Sequence, residues 1–367
     1  MPPRRARSTR RPSRSSSSAV TVATIASVHQ IARGEKLPGR VRGLILVRDQ
    51  GLLALFIVLV IVFAFWGAPH FFTLATGISV LNSAAIAGIY AAGVTVGVMT
   101  GVLDLSVPGT AALAGVVTGL LLQGGAPVPL ALLAGLAIGC VVGLVNGLIA
   151  IRGFDPLIVT IAMLSALGGL SLLLANDYNI SGLTQLQFMG TQTYLGIPAP
   201  VYIAVLVFAA LTVFLRYTRT GMRLLAVGGG REAARRVGIE VNRYRVLGFM
   251  ISGFCAALGG IVTTAYITTA VPSASVGIVF SAMTAVALAG VPFVGGRGSL
   301  PRVALGAVVV STISAGLLLA KVPTDWSSIV TGALLVGGLG LNMWTTKTTS
   351  KLLLSGGRTA AAIGRAS

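Results

Sequence analysis

Acidic residues are scarce in this chain: Asp and Glu number eight among 367 residues, and charged residues of both signs make up only 10%. Soluble domains carry about 25% charged residues, because a folded body in water needs a solvated surface. A water-soluble globular domain is therefore excluded. Histidine and cysteine are scarcer still, two of each. His29 and His70 are isolated in sequence, and Cys140 and Cys255 each sit inside an apolar run without CxxC spacing. A metal centre or disulfide framework has no residues to build on, and the cysteines read as small packing residues. No G-x-x-x-x-G-K-[ST] loop occurs, so the chain cannot cradle a nucleoside triphosphate by that route. Gly-Gly-Arg-Gly-Ser at 295–299 lacks the lysine and reads as a tight turn. With no Ser/His/Asp or Cys/His set and no HExxH, neither enzymatic chemistry nor a cofactor is expected in this chain.

What the chain has is apolar length. Hydrophobic residues make up 55% and glycines number 48. Small residues are common in membrane helices, where they let backbones approach closely. A helix needs about 20 apolar residues to cross the hydrocarbon core. The pattern predicts spans over 51–67, 77–100, 107–123, 128–150, 156–175, 200–217, 246–268, 277–295, 303–320 and 326–343. The breaks between them are rich in Gly and Pro, as at residues 67–69, 124–127 and 198–200. The expected fold class is an all-α membrane protein with about ten transmembrane helices.

The net charge of +19 resembles a nucleic-acid signal, but its distribution points to topology instead. Basic residues crowd the first 50 positions, the loop at 216–245 and the C-terminal stretch. If the N-terminus is placed inside and the spans alternate, Lys321 is the one basic residue of the 27 left outside. Both termini are then cytoplasmic. Residues 1–45 read as a basic Ser/Pro-rich tail expected to be unstructured, 46–345 as the transmembrane domain, and 346–367 as a second cytoplasmic tail. The mildly apolar stretch at 19–28 imitates a signal peptide, but a full-length span follows too soon for that reading. Residues 41–47 read as an interfacial segment leading into the first span. The Arg-rich tail either enforces topology or touches anionic lipid.

Two segments stand out from the apolar background. Asp104, in MTGVLDLSVPG, lies between two apolar runs, where an ionisable residue is costly and by default functional or paired. Gly101, Pro108 and Gly109 suggest a broken helix there. Asp104 serves either as a cap for the following helix or in the pathway, and no second carboxylate or histidine suggests a proton relay. Asp155, before Pro156, reads as a turn residue. In GGGREAARRVGIEVNRYR, Glu232 lies early and Arg235 and Arg236 late in a short helix that Gly238 can end, as the helix dipole favours. Ala233 and Ala234 would give it a small flat face. It reads either as a docking helix or as a basic loop serving topology alone. A faint echo links MTGVLDLSVPGTAALAGVV to FVGGRGSLPRVALGAVVV, which common Gly/Ala/Val composition also explains.

LDLSVPG (103–109), GFDPLIVTIAML (153–164), REAARRVGI (231–239) and FVGGRGS (293–299) occur in an order and spacing that resembles the permease subunits of bacterial ABC importers for simple sugars, the ribose/xylose/autoinducer-2 group. The resemblance covers roughly residues 75–345. It implies the ABC importer permease fold in the bacterial plasma (inner) membrane. It also implies a cytoplasmic ATPase pair that holds ATP and magnesium, a second permease copy or homologue, and an extracytoplasmic sugar-binding protein. Residues 232–238 would be the coupling helix seated in the ATPase, with Glu232, Ala233, Ala234, Arg235, Arg236 and Gly238 in contact. Asp104, Leu105 and Ser106 match the family's broken-helix segment near the pathway. Asn82, Tyr90, Asn146 and Tyr266 are candidate lining residues for a neutral substrate. The chain departs from the group at Ser281, where an acidic residue is frequent, at Val291-Pro292-Phe293, and at Asp155. These departures bear on which sugar is carried. A branched-chain amino-acid ABC permease and an ion-coupled secondary transporter are the alternatives.

Overall fold

The computed structural model describes residues 39–66 and 71–363, and these are almost entirely helical. Helix α1 runs Gly39–Trp66, α2 Leu74–Met99, α3 Val107–Gln123, α4 Val128–Ile151 and α5 Pro156–Leu174. A short α6 (Gln187–Gly190) precedes α7 (Ala199–Tyr217), α8 (Arg219–Gly229) and α9 (Arg231–Arg236). Then come α10 (Val241–Ile267), α11 (Gly277–Leu288), α12 (Leu300–Leu319) and α13 (Thr324–Ile363). The strand content is slight: β1 (Ile180–Ser181) pairs antiparallel with β4 (Thr269–Ala270), and β2 (Thr193–Tyr194) with β3 (Ile197–Pro198). Leu52–Asn342 form one compact unit, which holds every candidate site residue; the described residues 39–51 and 343–363 belong to a second.

Among the described residues, six helices (α2, α4, α5, α7, α10 and α12) are long and apolar enough to cross a membrane. Four further apolar segments are shorter: Gln50–Trp66, α3, α11 and Asp325–Leu341. Several expected boundaries move. The interfacial segment at 41–47 and the first span are one continuous helix, so residues 39–45, expected to be unstructured, are helical. The rest of the N-terminal tail, residues 1–38, and the break at 67–70 lie outside the described residues. The span expected over 277–295 stops at Leu288, because Gly290 takes φ +71° and Pro292 has no N–H to continue a helix. Helix α13 runs on beyond 343 as far as Ile363.

Close helix contact explains the glycine content. In α4, glycines recur every fourth residue, at 135, 139, 143 and 147, and so share one face. That face lies directly on α10. A Cβ on Gly139 would meet the Gly253 carbonyl, one on Gly143 would lie 2.6 Å from the Met250 Cα, and one on Gly147 would lie 2.8 Å from the Val246 Cα. Helix α10 also packs on α3 and α2, and α2 in turn packs on α12, α11 and α7. Every residue of α2 from 88 to 99 is buried, as expected of a helix apolar all round and enclosed by others. Helices α4, α5 and α7 keep large apolar side chains exposed, Leu133, Ile158 and Leu206 among them, which suits contact with lipid.

Candidate functional site

The short helix α9 forms where the local signals place it. Glu232 lies in its first turn and Arg235 and Arg236 in its last, with the Arg236 Nε 3.7 Å from the Glu232 carboxylate. Gly238, at φ +80°, ends it: its N–H donates to the Arg235 carbonyl at 3.1 Å, and the Ile239 N–H donates to the Ala234 carbonyl at 3.0 Å. This is the paired-bond stop that a residue in the left-handed region permits. The expected flat face of Ala233 and Ala234 is divided, however. Ala233 faces solvent, whereas Ala234 is buried in a core with Leu224, Val227, Val241 and Tyr244. Ala234 anchors the helix and cannot belong to a docking surface. Within 232–238 the exposed set is Glu232, Ala233, Arg235, Arg236 and Gly238, joined by Val237, which is 75% exposed and which the sequence pattern does not single out; Arg231, just before them, is exposed as well.

The break between α2 and α3 is real, and Asp104 sits in it. Helix α2 ends at Met99, with Gly101 at φ +75°, and α3 starts at Val107. Asp104 is the one buried acidic side chain among the described residues. Its Oδ1 accepts from the Ser106 N–H at 3.0 Å and the Ser106 Oγ at 2.6 Å, and its Oδ2 accepts from the Ser252 Oγ of α10 at 2.8 Å. Ser106 Oγ in turn accepts from the Asn146 Nδ2 of α4 at 2.9 Å. The carboxylate therefore does not cap α3: Ser106 holds the capping position, with no side-chain cap bond of its own. Asp104 instead ties the broken segment to α10 directly and to α4 through Ser106. Leu105 is half-buried and packs against the main core. Asn146 thus belongs to this polar node rather than to an isolated lining position, and its Oδ1 has no protein partner. Asp155 is a helix cap, its Oδ1 accepting from the Leu157 N–H at 2.8 Å.

Tyr90 lines a cavity of about 190 Å³ bounded by α2, α3, α10 and the segment that follows α10. Its hydroxyl lies 3.0 Å from the Thr263 Oγ1, and Thr264, Thr269, Ser273 and Ser275 are among the other residues of a mostly apolar wall. No charged side chain lines it. Tyr266 does not face this cavity, and neither does Asn82, which is buried with its Oδ1 unpartnered. Among the described residues no three His, Cys, Asp or Glu side chains come together as a metal site. Ser252 and Thr263 are not marked in the sequence, because a lone Ser or Thr in an apolar helix carries no signal of its own.

The break, α9 and the cavity all fall within residues 77–339, the stretch matched by the family described as "Branched-chain amino acid transport system / permease component". The chain is 31% identical over 291 residues to the ribose import permease protein RbsC of Escherichia coli (strain K12), covering 78% of this chain and 90% of that one. It is 35% identical over 289 residues to the ribose import permease protein RbsC of Bacillus subtilis (strain 168), covering 77% and 89%. Identity to the galactofuranose transporter permease protein YtfT of E. coli (strain K12) is 32% over 274 residues, covering 72% and 80%. A family match over most of the chain, and relatives above 30% identity along nearly their full length, lead to one conclusion: this multi-pass membrane protein belongs to the transport-system permease-component family.

Proposed function

We propose that the chain is the transmembrane permease subunit of an ATP-driven importer, forming the path for a monosaccharide while a separate cytoplasmic subunit hydrolyses ATP. The observation that carries this reading is the near full-length identity to permeases named for ribose and galactofuranose. The cavity at Tyr90 and Thr263 is mostly apolar with no charged side chain, which agrees with a neutral substrate, whereas an amino acid would call for a countercharge or exposed helix ends. That argument favours sugar over the branched-chain amino acid of the family's description.

The reading includes ten spans, with both termini cytoplasmic. Alternation puts residues 101, 228–231 and 295–296 on the inner side, and these segments are in mutual contact. It puts residues 181 and 269 outside, and those pair as β-strands. On this topology α9 is a cytoplasmic coupling helix, whose exposed Glu232, Ala233, Arg235, Arg236, Val237 and Gly238 meet the ATPase. A second permease copy or homologue and an extracytoplasmic sugar-binding protein complete the assembly. Ion-coupled transport through Asp104 fits less well, because both carboxylate oxygens already accept from serines.

The test is uptake of radiolabelled ribose into proteoliposomes holding this chain, its ATPase and its binding protein, with leucine as competitor. Uptake that needs ATP and resists leucine is expected. Uptake driven by a proton gradient alone, or blocked by leucine but not by sugars, refutes the proposal.

A further inference from the structure

The contacts of α9 point to a role for Arg231, an exposed residue that the expected docking set leaves out. Arg231 occupies the first position of α9, where the positive end of the helix dipole makes an arginine unfavourable. Its guanidinium does not simply turn to solvent. The Nη2 donates at 2.6 Å to the carbonyl of Gly101, 130 residues away in sequence. Gly101 is the left-handed residue just past the end of α2, where partial negative charge gathers and a cation is favoured. A residue set against its own helix and matched to the end of another is a local cost with a distant compensation.

Around this bond three glycine turns are pressed together. The Gly296 N–H donates to the Met99 carbonyl at 2.8 Å, and a Cβ on Gly228 would overlap that same carbonyl. A Cβ on Gly295 would lie 3.0 Å from the Val98 carbonyl and 2.9 Å from that of Gly228. The end of α8, the α2–α3 break and the α11–α12 turn therefore touch mainly through backbone. Three residues beyond Gly101 stands Asp104, bonded to Ser252 of α10 and, through Ser106, linked to Asn146 of α4.

We infer that Arg231 is a positioning residue for transport, a strap that carries displacement of α9 into the α2–α3 break and so into the helices held by Asp104. The inference rests on the importer reading above, in which the ATPase moves α9. The direct side-chain hydrogen bond from α9 to the break is this one. When α9 moves, the bond drags Gly101, and the Asp104 node passes that movement to α4 and α10. Without it, only the backbone contact at Gly228 joins α9 to the break, and that contact supplies no hydrogen bond to pull on Gly101.

The experiment compares wild type, Arg231→Ala and Arg231→Lys in the reconstituted complex, reading ATPase co-purification, ATP hydrolysis and ribose uptake together. Arg231→Ala is expected to keep the ATPase bound and to raise the ATP consumed per sugar about tenfold. Arg231→Lys, which keeps a charged donor, is expected to recover much of the coupling. An unchanged ATP-to-sugar ratio in Arg231→Ala overturns the strap, and so does loss of the ATPase from that variant, which would make Arg231 a docking contact. Should Arg231→Ala not fold, a folded Arg231→Gln variant, which keeps a donor without the charge, takes its place and is expected to be more uncoupled than Arg231→Lys. Wild-type coupling in both variants overturns the strap. Failure of wild type to need ATP is a separate result that refutes the importer reading itself.

Discussion

Replacing Gly143 by Ala tests whether the glycine face of α4 sets the distance on which the polar node depends. A Cβ there would overlap the Phe249 carbonyl and lie 2.6 Å from the Met250 Cα. Carbon atoms rest about 3.5–4.0 Å apart, so α4 and α10 must separate by about 1 Å. Overpacking of this kind costs about 1–3 kcal/mol, against up to about 1 kcal/mol that Ala gains over Gly within a helix. Gly169, in α5, provides the matched control, being helical and exposed with nothing within 4 Å of an added Cβ. Gly169→Ala is expected to be neutral or mildly stabilising, and Gly143→Ala to lose about 1–2 kcal/mol, roughly a tenfold shift in the unfolding equilibrium. Separation of the helices also draws Asn146 on α4 away from Ser106, so uptake should fall more than stability alone explains. The assay is SDS-induced unfolding of both variants in dodecyl maltoside, followed by uptake under native conditions. Equal stability of the two variants would refute the close-packing argument.

Asp104→Asn keeps an oxygen for the Ser106 N–H and hydroxyl, whereas Asp104→Leu orphans three buried donors and should cost about 2–5 kcal/mol. If the two variants unfold alike, Asp104 does not tie the break to α10. Ala234→Glu buries an unpaired carboxylate and should unfold the loop or the whole chain. Ala233→Glu should leave folding intact while weakening ATPase co-purification, and a normal complex with Ala233→Glu would remove α9 from the docking surface. Tyr90→Phe deletes the hydroxyl facing Thr263, and a lost hydrogen bond of about 1 kcal/mol should raise the half-saturating sugar concentration about fivefold. Unaltered sugar dependence would place the path elsewhere.

Local features are legible in the residues themselves. Gly238 ends α9 and the helix breaks at Gly101 because these events depend on residues within about five positions of one another, whereas Asp155, read as a turn residue, is a helix cap. Span boundaries shift where a turn has its own demands. Gly290 and Pro292 cut α11 short although the apolar run continues, since hydropathy records composition and not backbone conformation.

Which face of each helix meets which neighbour is not legible in that way. An amphipathic helix reports its buried side through its polar side, but α2, α4 and α10 are apolar nearly all round, and lipid and protein neighbours both accept that surface. Residues such as Ser252, Asn146 and Thr263 therefore carry no direction until the helices are assembled.

The sequence by itself determined that the chain crosses a membrane, and it marked where short turns interrupt the helices. Each of these follows from composition or from contacts close along the chain. Only the tertiary structure decided that Ala234 is an anchor, that Asp104 binds α10 rather than capping α3, and that Arg231 reaches Gly101. Those pairs join residues far apart in sequence, and they depend on how each helix is rotated about its axis, which a uniformly apolar surface leaves open.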